Sequence, residues 1–422
     1  MGKRGSVACL LAVLLAAPAL AETGVVRVGS SGDYAPFSVG GPTPLDLPGS
    51  TPASFSGFDV EVARSYARER GLTLRLVRFR WPALLTDLAA DAFDVAMSGV
   101  TVSPERSVAG RFSLPVAESG AVVLLRADGR FSDIDSLDRR GVRIGVNAGG
   151  YLERVAQGRF QHATVLSIPE NEAVIAALES FSVDAVVSDT LEAPGWQSRS
   201  EDLKLLGPFT RDRKAYLVRP DRPELAADLD AWLLAREADG SLGKLRREHL
   251  GGAAAATATP LAALVAALDE RLALMPWVVA AKRRDSRPIR DRAREKRVLS
   301  AARDAVGAAA ARAGVDPPPD AAVDAFFRAQ IEAAVEVQLA AGRAREAATT
   351  PRGPELESGL RPALLRIGER IAELLVRIPA DLDERSATDA VEAGLRSPWL
   401  TPASRLALAE ALVEVSRRAS SP

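Results

Sequence analysis

The pattern of apolar residues changes once along the chain, close to Gly251. Before that point, short β-branched segments such as "VVRVGSS" (25–31) and "VRIGVNA" (142–148) alternate with amphipathic segments such as "GFDVEVARSYARERG" (57–71). This alternation predicts α/β structure built on parallel sheets. After Gly251 the pattern is helical throughout and rich in alanine, leucine and arginine. The sequence therefore predicts a multi-domain protein, α/β followed by all-α.

The segment between the two halves has the composition of a flexible linker. It reads "GGAAAATATP", from Gly251 to Pro260. We therefore predict a first domain at 22–250, a linker at 251–260 and a second domain at 261–422. A length of 422 residues at about 150 residues per domain allows roughly three folding units.

The first residues have the features of a secretory signal. A basic start is followed by an apolar run from Val7 to Leu20 and by small residues up to Ala21. We predict a signal peptide at 1–21 and a mature protein in the periplasm. Cleavage would remove Cys9, the only cysteine, so the mature chain would have no disulfide. No later apolar run is long enough to span a bilayer, and we expect no membrane anchor after cleavage.

The charge and the ligand-type residues exclude several classes of function. The formal net charge is −1, which does not favour nucleic acid as a partner. With two histidines and no cysteine in the mature chain, a zinc site of the usual ligands is not expected. We predict no metal and no cofactor, and we interpret His162 and His249 as ordinary surface or structural residues.

The first half resembles a known family. The segments "VGSSGDYAPFS", "GFDVEVAR" and "FSLPVAESG" resemble the periplasmic solute-binding proteins that take amino acids. Within that group, "WPALLTDLAADAFDVAMSG", "VNAGG", "PENEAVI", "SDTLEA" and "KAYLV" resemble the cyclohexadienyl dehydratases. The resemblance implies a type II periplasmic binding protein fold. One lobe would take 24–118 and 218–250, the other 124–212, with two crossing strands and a ligand cleft between them.

The resemblance implies four substrate-binding residues in this cleft. Arg106 would clamp a carboxylate, the glycine turn with Asn147 and Gly149 would bind a second carboxylate, and Asp189 would hold an amino group. Each has a structural alternative. Arg106 would otherwise be a surface arginine at a helix start, the turn an ordinary tight turn, and Asp189 a helix cap.

Glu192 is the residue that separates an enzyme from a binding protein. By resemblance it is the general acid that protonates the leaving hydroxyl of prephenate, which requires a buried carboxyl with a raised pKa. The structural alternative is a glutamate that interacts with a helix dipole. Tyr151 stands where a small hydroxyl residue is expected, and 40–56 looks like an insertion near the cleft. Both features leave the choice between prephenate and arogenate open.

The second half carries a cluster of charges at helical spacing. "ALDERLALMPWVVAAK" predicts one amphipathic helix with Arg271 and Lys282 on the same face, and a helix after Pro288 presents Asp291, Arg294 and Glu295 together. With "FFRAQIEAAVEVQ", this pattern resembles the secreted subclass of the all-helical chorismate mutases, over roughly 261–338. A solvated, salt-bridged helix face is the alternative interpretation.

The resemblance assigns these residues to a pericyclic reaction. Arg271 and Arg294 would grip the carboxylates of chorismate, and Lys282 and Gln338 would hydrogen-bond the ether oxygen. The acids, Asp291 and Glu295, would orient the ring hydroxyl. Arg370, on a later helix, is the candidate for a further arginine that binds substrate.

The hypothesis for the whole chain is a bifunctional exported enzyme of phenylalanine biosynthesis. It would convert chorismate to prephenate, and then prephenate to phenylpyruvate or arogenate to phenylalanine. The alternative is a periplasmic amino-acid receptor for a transporter with a fused mutase-like domain. The sequence leaves the oligomeric state open.

Overall fold

The computed structural model describes residues 24–40, 55–128, 130–251, 259–344 and 353–417. The predicted signal peptide and most of the predicted insertion and linker lie outside these residues. Within them, no helix combines the length and the apolar character needed to cross a bilayer.

The first domain contains fourteen strands and eight helices among the described residues. The strands are β1 Val25–Ser30, β2 Asp33–Tyr34, β3 Ser38–Val39, β4 Thr73–Arg78, β5 Val95–Ala96, β6 Arg111–Phe112, β7 Ala117–Ser119, β8 Ala121–Arg126, β9 Arg143–Asn147, β10 Thr164–Ile168, β11 Ala185–Asp189, β12 Leu203–Leu206, β13 Asp212–Lys214 and β14 Leu217–Val218. The helices are α1 Phe58–Glu69, α2 Leu84–Ala89, α3 Pro104–Ala109, α4 Tyr151–Arg159, α5 Asn171–Glu179, α6 Ala193–Gln197, α7 Pro223–Ala238 and α8 Ser241–Leu250.

These elements form two lobes, as the resemblance implied. Lobe one has the sheet order β4-β1-β5-β14-β6, and lobe two has the order β10-β9-β11-β8-β12. The prediction of parallel sheets was correct only in part, because β14 runs antiparallel to β5 and β8 runs antiparallel to β11. The cause is the connectivity: β8 and β14 each follow directly on a strand that carries the chain from one lobe to the other.

The two crossing strands are β7 and β13. They pair antiparallel, with Ala117 opposite Lys214 and Ser119 opposite Asp212. The pair forms the hinge between the lobes, and it brings the side chain of Lys214 to the lobe boundary, where it is 3% exposed.

The second domain is all-helical in the residues described. Its α-helices are α9 Pro260–Ala273, α10 Met275–Arg284, α11 Arg292–Ala313, α12 Asp320–Arg343, α13 Arg361–Leu375, α14 Glu384–Gly394 and α15 Pro402–Ser416, and a π-helical turn, Leu356–Leu360, precedes α13. The prediction of one continuous helix through "ALDERLALMPWVVAAK" was wrong. The helix is interrupted at Leu274, because Pro276 has no backbone N–H to continue the helical hydrogen-bond pattern.

The helical domain packs on lobe one and on the hinge strand β13. Arg366 of α13 donates to the carbonyl oxygen of Val108 at the end of α3 (2.7 Å). At the hinge, the Arg213 guanidinium lies 2.6 Å from the Asp269 carboxylate of α9. One continuous apolar cluster includes residues of both domains. The two halves are therefore in direct contact.

Candidate active sites

The first candidate site is the cleft between the two lobes. The residues that line it are Tyr34, Trp81, Gly99, Thr101, Arg106, Asn147, Gly150, Tyr151, Leu152, Asn171, Glu192 and Lys214. The enclosed space is about 40 Å³, far below the roughly 300 Å³ of a usual ligand pocket. The lobes must therefore separate to admit a ligand of ordinary size.

Glu192 is a buried carboxyl at the wall of this cleft. It precedes the short helix α6 and is 6% exposed. Asn171 Nδ2 donates to its Oε1 (2.5 Å) and Ser188 Oγ to its Oε2 (2.8 Å). Burial, with repulsion from the neighbouring Asp189, raises the pKa of Glu192 to about 8. The group therefore holds its proton near neutral pH and can act as a donor.

Asp189, at the end of β11, is already neutralised by a residue of this chain. Lys214 Nζ lies 2.8 Å from its Oδ2, and Tyr34 donates a hydrogen bond to the same oxygen. Burial acts to raise the pKa of Asp189, but the charge of Lys214 and the hydrogen bonds that the carboxylate accepts together outweigh it, and the pKa is lowered. Its other oxygen accepts from the backbone N–H groups of Leu191 and Glu192. The expected place for a substrate amino group is thus occupied by the Lys214 ammonium. Asp189 also stabilises the turn before α6, but it does not cap that helix, whose N-cap is Glu192.

Arg106 lies inside the cleft. It is 4% exposed, so it is not a surface arginine. One terminal nitrogen donates to the carbonyl oxygen of Thr101 (2.8 Å), and the guanidinium lies 5.7 Å from the Trp81 ring centroid. Burial and then repulsion from Arg154 lower its pKa to about 10. Its remaining donors are available to an anionic group in the cleft.

The glycine turn after β9 brings the two lobes into contact. Asn147 lines the cleft. Gly149 has φ +72° and approaches Pro82 of lobe one so closely that a Cβ would lie 2.6 Å from the Pro82 Cα. Its N–H donates to the Glu153 carboxylate (2.8 Å). The turn therefore positions Asn147, while the Gly149 N–H is occupied by a carboxylate of the chain itself.

The second candidate site is a cavity of about 320 Å³ inside the helical domain. Met275, Val278 and Val298 contribute to its apolar wall. Seven charged residues also line it: Arg271, Lys282, Arg287, Asp291, Arg294, Glu295 and Arg361. Five of these are cationic and two are acidic, so the cavity favours a ligand with more than one negative charge.

The cations in this cavity are partly desolvated. Burial, with repulsion from Arg294, lowers the pKa of Arg271 to about 10 and also lowers the pKa of Lys282. Lys282 Nζ donates to the carbonyl oxygen of Ile289 (2.5 Å), and the Arg271 Nε has no acceptor. An ammonium has three donors, so Lys282 retains two for a ligand.

The acids and the glutamine occupy different parts of the cavity. Asp291 is the N-cap of α11, and its Oδ1 accepts from the Arg294 N–H (3.0 Å). Gln338 Nε2 donates to the carbonyl oxygen of Ala334 (3.1 Å), while its Oε1 has no partner. Glu295 lines the same wall one turn of α11 beyond Asp291.

Contrary to the prediction that it binds substrate, Arg370 does not line this cavity. Its guanidinium lies at the domain interface, 3.2 Å from Asp230 of lobe one and 3.2 Å from Glu270 of α9. Arg370 follows Arg361 by nine residues, which is two and a half turns of α13. The two side chains therefore point to opposite sides of the helix, and Arg370 faces lobe one. Arg361, at the start of α13, lines the cavity instead, and so does Arg287.

The sequence analysis did not identify several of the residues that line the two sites. Lys214 and Asn171 lie in the motifs "KAYLV" and "PENEAVI", but spacing along the chain does not show that they meet Asp189 and Glu192 across the fold. Tyr34 and Trp81 complete the cleft. Among the described residues, no three histidine, aspartate or glutamate side chains gather as a metal site would require.

Comparisons with known proteins agree with this geometry. Residues 26–252 match the family model of bacterial extracellular solute-binding proteins, family 3, and residues 262–339 match that of chorismate mutase type II. The chain is 32% identical over 233 residues to the cyclohexadienyl dehydratase of Pseudomonas aeruginosa, which covers 54% of this chain and 83% of that protein. It is 26% identical over 232 residues to the L-cystine-binding protein TcyJ of Escherichia coli, covering 54% of this chain and 84% of that protein.

Solved structures include one described as an ancestral amino-acid-binding protein, a precursor of cyclohexadienyl dehydratase. It has 26% identity and a TM-score of 0.48, and covers 54% of this chain and 96% of that one. The assignment rests instead on the family models and on the dehydratase relative. The chain belongs to the bacterial extracellular solute-binding proteins of family 3, and a type II chorismate mutase domain follows that fold.

Proposed function

We propose that this chain is a bifunctional enzyme that converts chorismate to prephenate in the helical domain and prephenate to phenylpyruvate in the interlobe cleft. The observation that carries the proposal is Glu192, a buried carboxyl in the cleft whose pKa is raised to about 8. The cationic cavity of the second domain and the dehydratase relative support it. The first reaction would supply the substrate of the second.

The mutase reaction needs positioning and charge, both of which the helical cavity offers. Chorismate carries two carboxylates, and its rearrangement breaks an ether bond without acid–base catalysis. Arg271, Arg294 and Arg361, which line the cavity, would bind the carboxylates. Lys282 and Gln338 would stabilise the negative charge that develops on the ether oxygen. Asp291 and Glu295 would hold the ring hydroxyl and keep the cations apart.

The dehydratase reaction needs a proton at the ring hydroxyl. Glu192 would donate that proton, so the hydroxyl leaves as water while the ring carboxylate leaves as carbon dioxide. The electrons of the broken carbon–carbon bond complete the aromatic ring. Arg106 would bind a substrate carboxylate, with Asn147 at the opposite lobe. Asn171 and Ser188 keep the Glu192 carboxyl in place. A proton from solvent restores the acid.

The rival function is an amino-acid receptor for a transporter, which the relatives named as binding proteins would suggest. Such a receptor needs no acid at position 192. Its aspartate would also be free for the ligand ammonium, whereas Asp189 is paired with Lys214. These two observations favour the enzyme.

Feeding chorismate to the purified protein tests the proposal. The wild type should form phenylpyruvate with prephenate as an intermediate. Lys282→Ala should leave chorismate unconsumed, yet should still convert added prephenate. Lys296→Ala, an exposed lysine of the same helical region, is the matched control and should behave as wild type. A protein that binds amino acids and leaves both substrates untouched would support the receptor instead.

Export to the periplasm is part of the proposal. It rests on the sequence of residues 1–21 and on the extracellular family of the first domain. N-terminal sequencing of protein recovered from the periplasm should begin at Glu22.

A further inference from the structure

A third cavity, separate from both active sites, lies between the two domains. Its volume is about 360 Å³. The outer side of α3, the hinge strand β13, the helix α9 and the segment 396–399 all contribute to its wall. Tyr151 of lobe two lines it as well as the dehydratase cleft. The cavity thus touches both lobes, the hinge and the mutase domain.

The wall presents hydrogen-bond donors that have no acceptor. The Ser103, Ser107 and Ser397 hydroxyls and the Arg396 Nε are each buried and without a partner. Ser103 is 3% exposed and stands at the N-cap of α3, yet its side chain does not cap the helix. Buried polar groups are normally satisfied, so four unpartnered ones around one cavity indicate a missing partner.

The acids at the same wall do not supply that partner, because they are already engaged. The Asp269 carboxylate binds the Arg213 guanidinium and the Arg396 N–H. Glu270 binds Arg370, and Asp212 accepts hydrogen bonds from the Tyr151 and Thr210 hydroxyls. Since every unpartnered group can donate a hydrogen bond, the missing partner is an acceptor.

The wall is balanced in formal charge, with three arginines and three acids, so the preference for an anionic acceptor comes from the unpartnered donors. Burial, followed by repulsion from Arg213, lowers the pKa of Arg396 to about 10. The outer nitrogens of Arg396 are held by the carbonyl oxygen of Arg211 and by Glu118, which fixes the guanidinium in place and leaves its Nε as the remaining donor. An anion beside Arg396 would offset the repulsion between the two guanidinium groups.

Another part of the wall is apolar. Leu272, Pro276, Pro398 and the Trp399 indole face the cavity. A pocket with such walls and a few converging donors suits a planar hydrophobic ring that carries one carboxylate.

We propose that this interdomain cavity binds a small organic anion, a six-membered carbon ring with a carboxylate side chain. The carboxylate contacts Ser103, Arg396 and Ser397, and the ring packs on Trp399. The phenylpyruvate of the proposed function is of this chemical class, but the site is built from residues that neither active site uses, apart from Tyr151. The inference therefore stands independently of either reaction.

Calorimetric titration of the full chain with 3-phenylpropionate tests the site. This probe has the ring and the carboxylate but no group on which either reaction can act. Ala273 is exposed and lines this cavity alone. Ala273→Trp should fill the cavity and abolish binding, while mutase and dehydratase rates stay at wild-type values. Unchanged binding in that variant, or no binding to the wild type, would overturn the proposal.

Ser103→Ala provides a second test that does not depend on a bulky substitution. It should weaken binding by about tenfold and leave the melting temperature of the unliganded protein unchanged or slightly raised, because it removes an unsatisfied buried hydroxyl. Wild-type affinity would contradict the assignment. The amine of matched length, 3-phenylpropylamine, should not bind, and equal affinity for it would show that the site does not select an anion.

Discussion

Lys214 Nζ lies 2.8 Å from Asp189 Oδ2, and the two residues are 3% and 1% exposed. This ion pair connects the hinge strand β13 to lobe two. Lys214 also donates hydrogen bonds to the Tyr34 hydroxyl and to the Thr101 hydroxyl. A substrate ammonium in this position would meet a carboxylate that is already neutralised, with another cation beside it. Among the described residues that line the cleft, none therefore offers a free negative charge to an amino group near neutral pH.

The first prediction is that the cleft prefers prephenate, which has a keto group, to arogenate, which has an ammonium. We expect kcat/KM for prephenate to exceed that for arogenate by about tenfold or more, since like charges within a few ångströms cost at least about 1.4 kcal/mol. Lys214→Met should shift this ratio toward arogenate. Equal specificity constants in the wild type would contradict the argument.

The second prediction concerns Glu192→Gln. The amide keeps the shape of the side chain but cannot donate a carboxylic proton, so the dehydratase kcat should fall by about 10² to 10⁴. Chorismate consumption and prephenate affinity should stay near wild type, and prephenate should accumulate. Glu179→Gln, an exposed glutamate of lobe two, is the control and should retain full activity. Phenylpyruvate formation at the wild-type rate in Glu192→Gln would mean that the proton comes from elsewhere.

The third prediction is a loss of dehydratase activity at alkaline pH. With a pKa of about 8, Glu192 is mostly protonated at pH 7 and mostly ionised at pH 9. The donor is the protonated form, so kcat should fall as the pH rises through about 8. The rate should be measured from pH 6 to 9, with far-UV circular dichroism at each pH to monitor the fold. A rate that rises through this range would exclude Glu192 as the acid.

The sequence was sufficient for features that depend on local pattern. The strand and helix alternation predicted the α/β structure of the first domain, and the resemblance implied its two lobes. The spacing of Arg271 and Lys282 predicted that they share a face, and both line the helical cavity although Pro276 breaks the helix between them. Features that depend on long-range packing were not predictable. The Asp189–Lys214 pair joins residues 25 positions apart through the hinge, and the direction in which Arg370 points depends on where lobe one docks.

The fourth prediction compares two arginines of α13. Arg361 lines the mutase cavity, whereas Arg370 is bound by Asp230 and Glu270 at the interface. Arg361→Ala should lower the mutase kcat/KM by about 10² or more, because it removes a charged contact to the substrate. Arg370→Ala should leave that constant within a few-fold and lower the melting temperature instead, because Asp230 and Glu270 lose their buried partner. The reverse pattern would restore Arg370 as a substrate ligand.

The last prediction is that residues 256–422 alone form an active chorismate mutase. All residues that line the helical cavity lie between Arg271 and Leu364, so the first domain contributes none of them. Removal of that domain exposes the α9 and α13 faces, and it takes Asp230 away from the Arg370 guanidinium while leaving Glu270. The fragment should therefore melt at a lower temperature than the full chain but keep a similar kcat/KM for chorismate. Circular dichroism establishes whether it is helical. A helical fragment that leaves chorismate unconsumed would show that contact with lobe one is needed to position Arg271 and its neighbours.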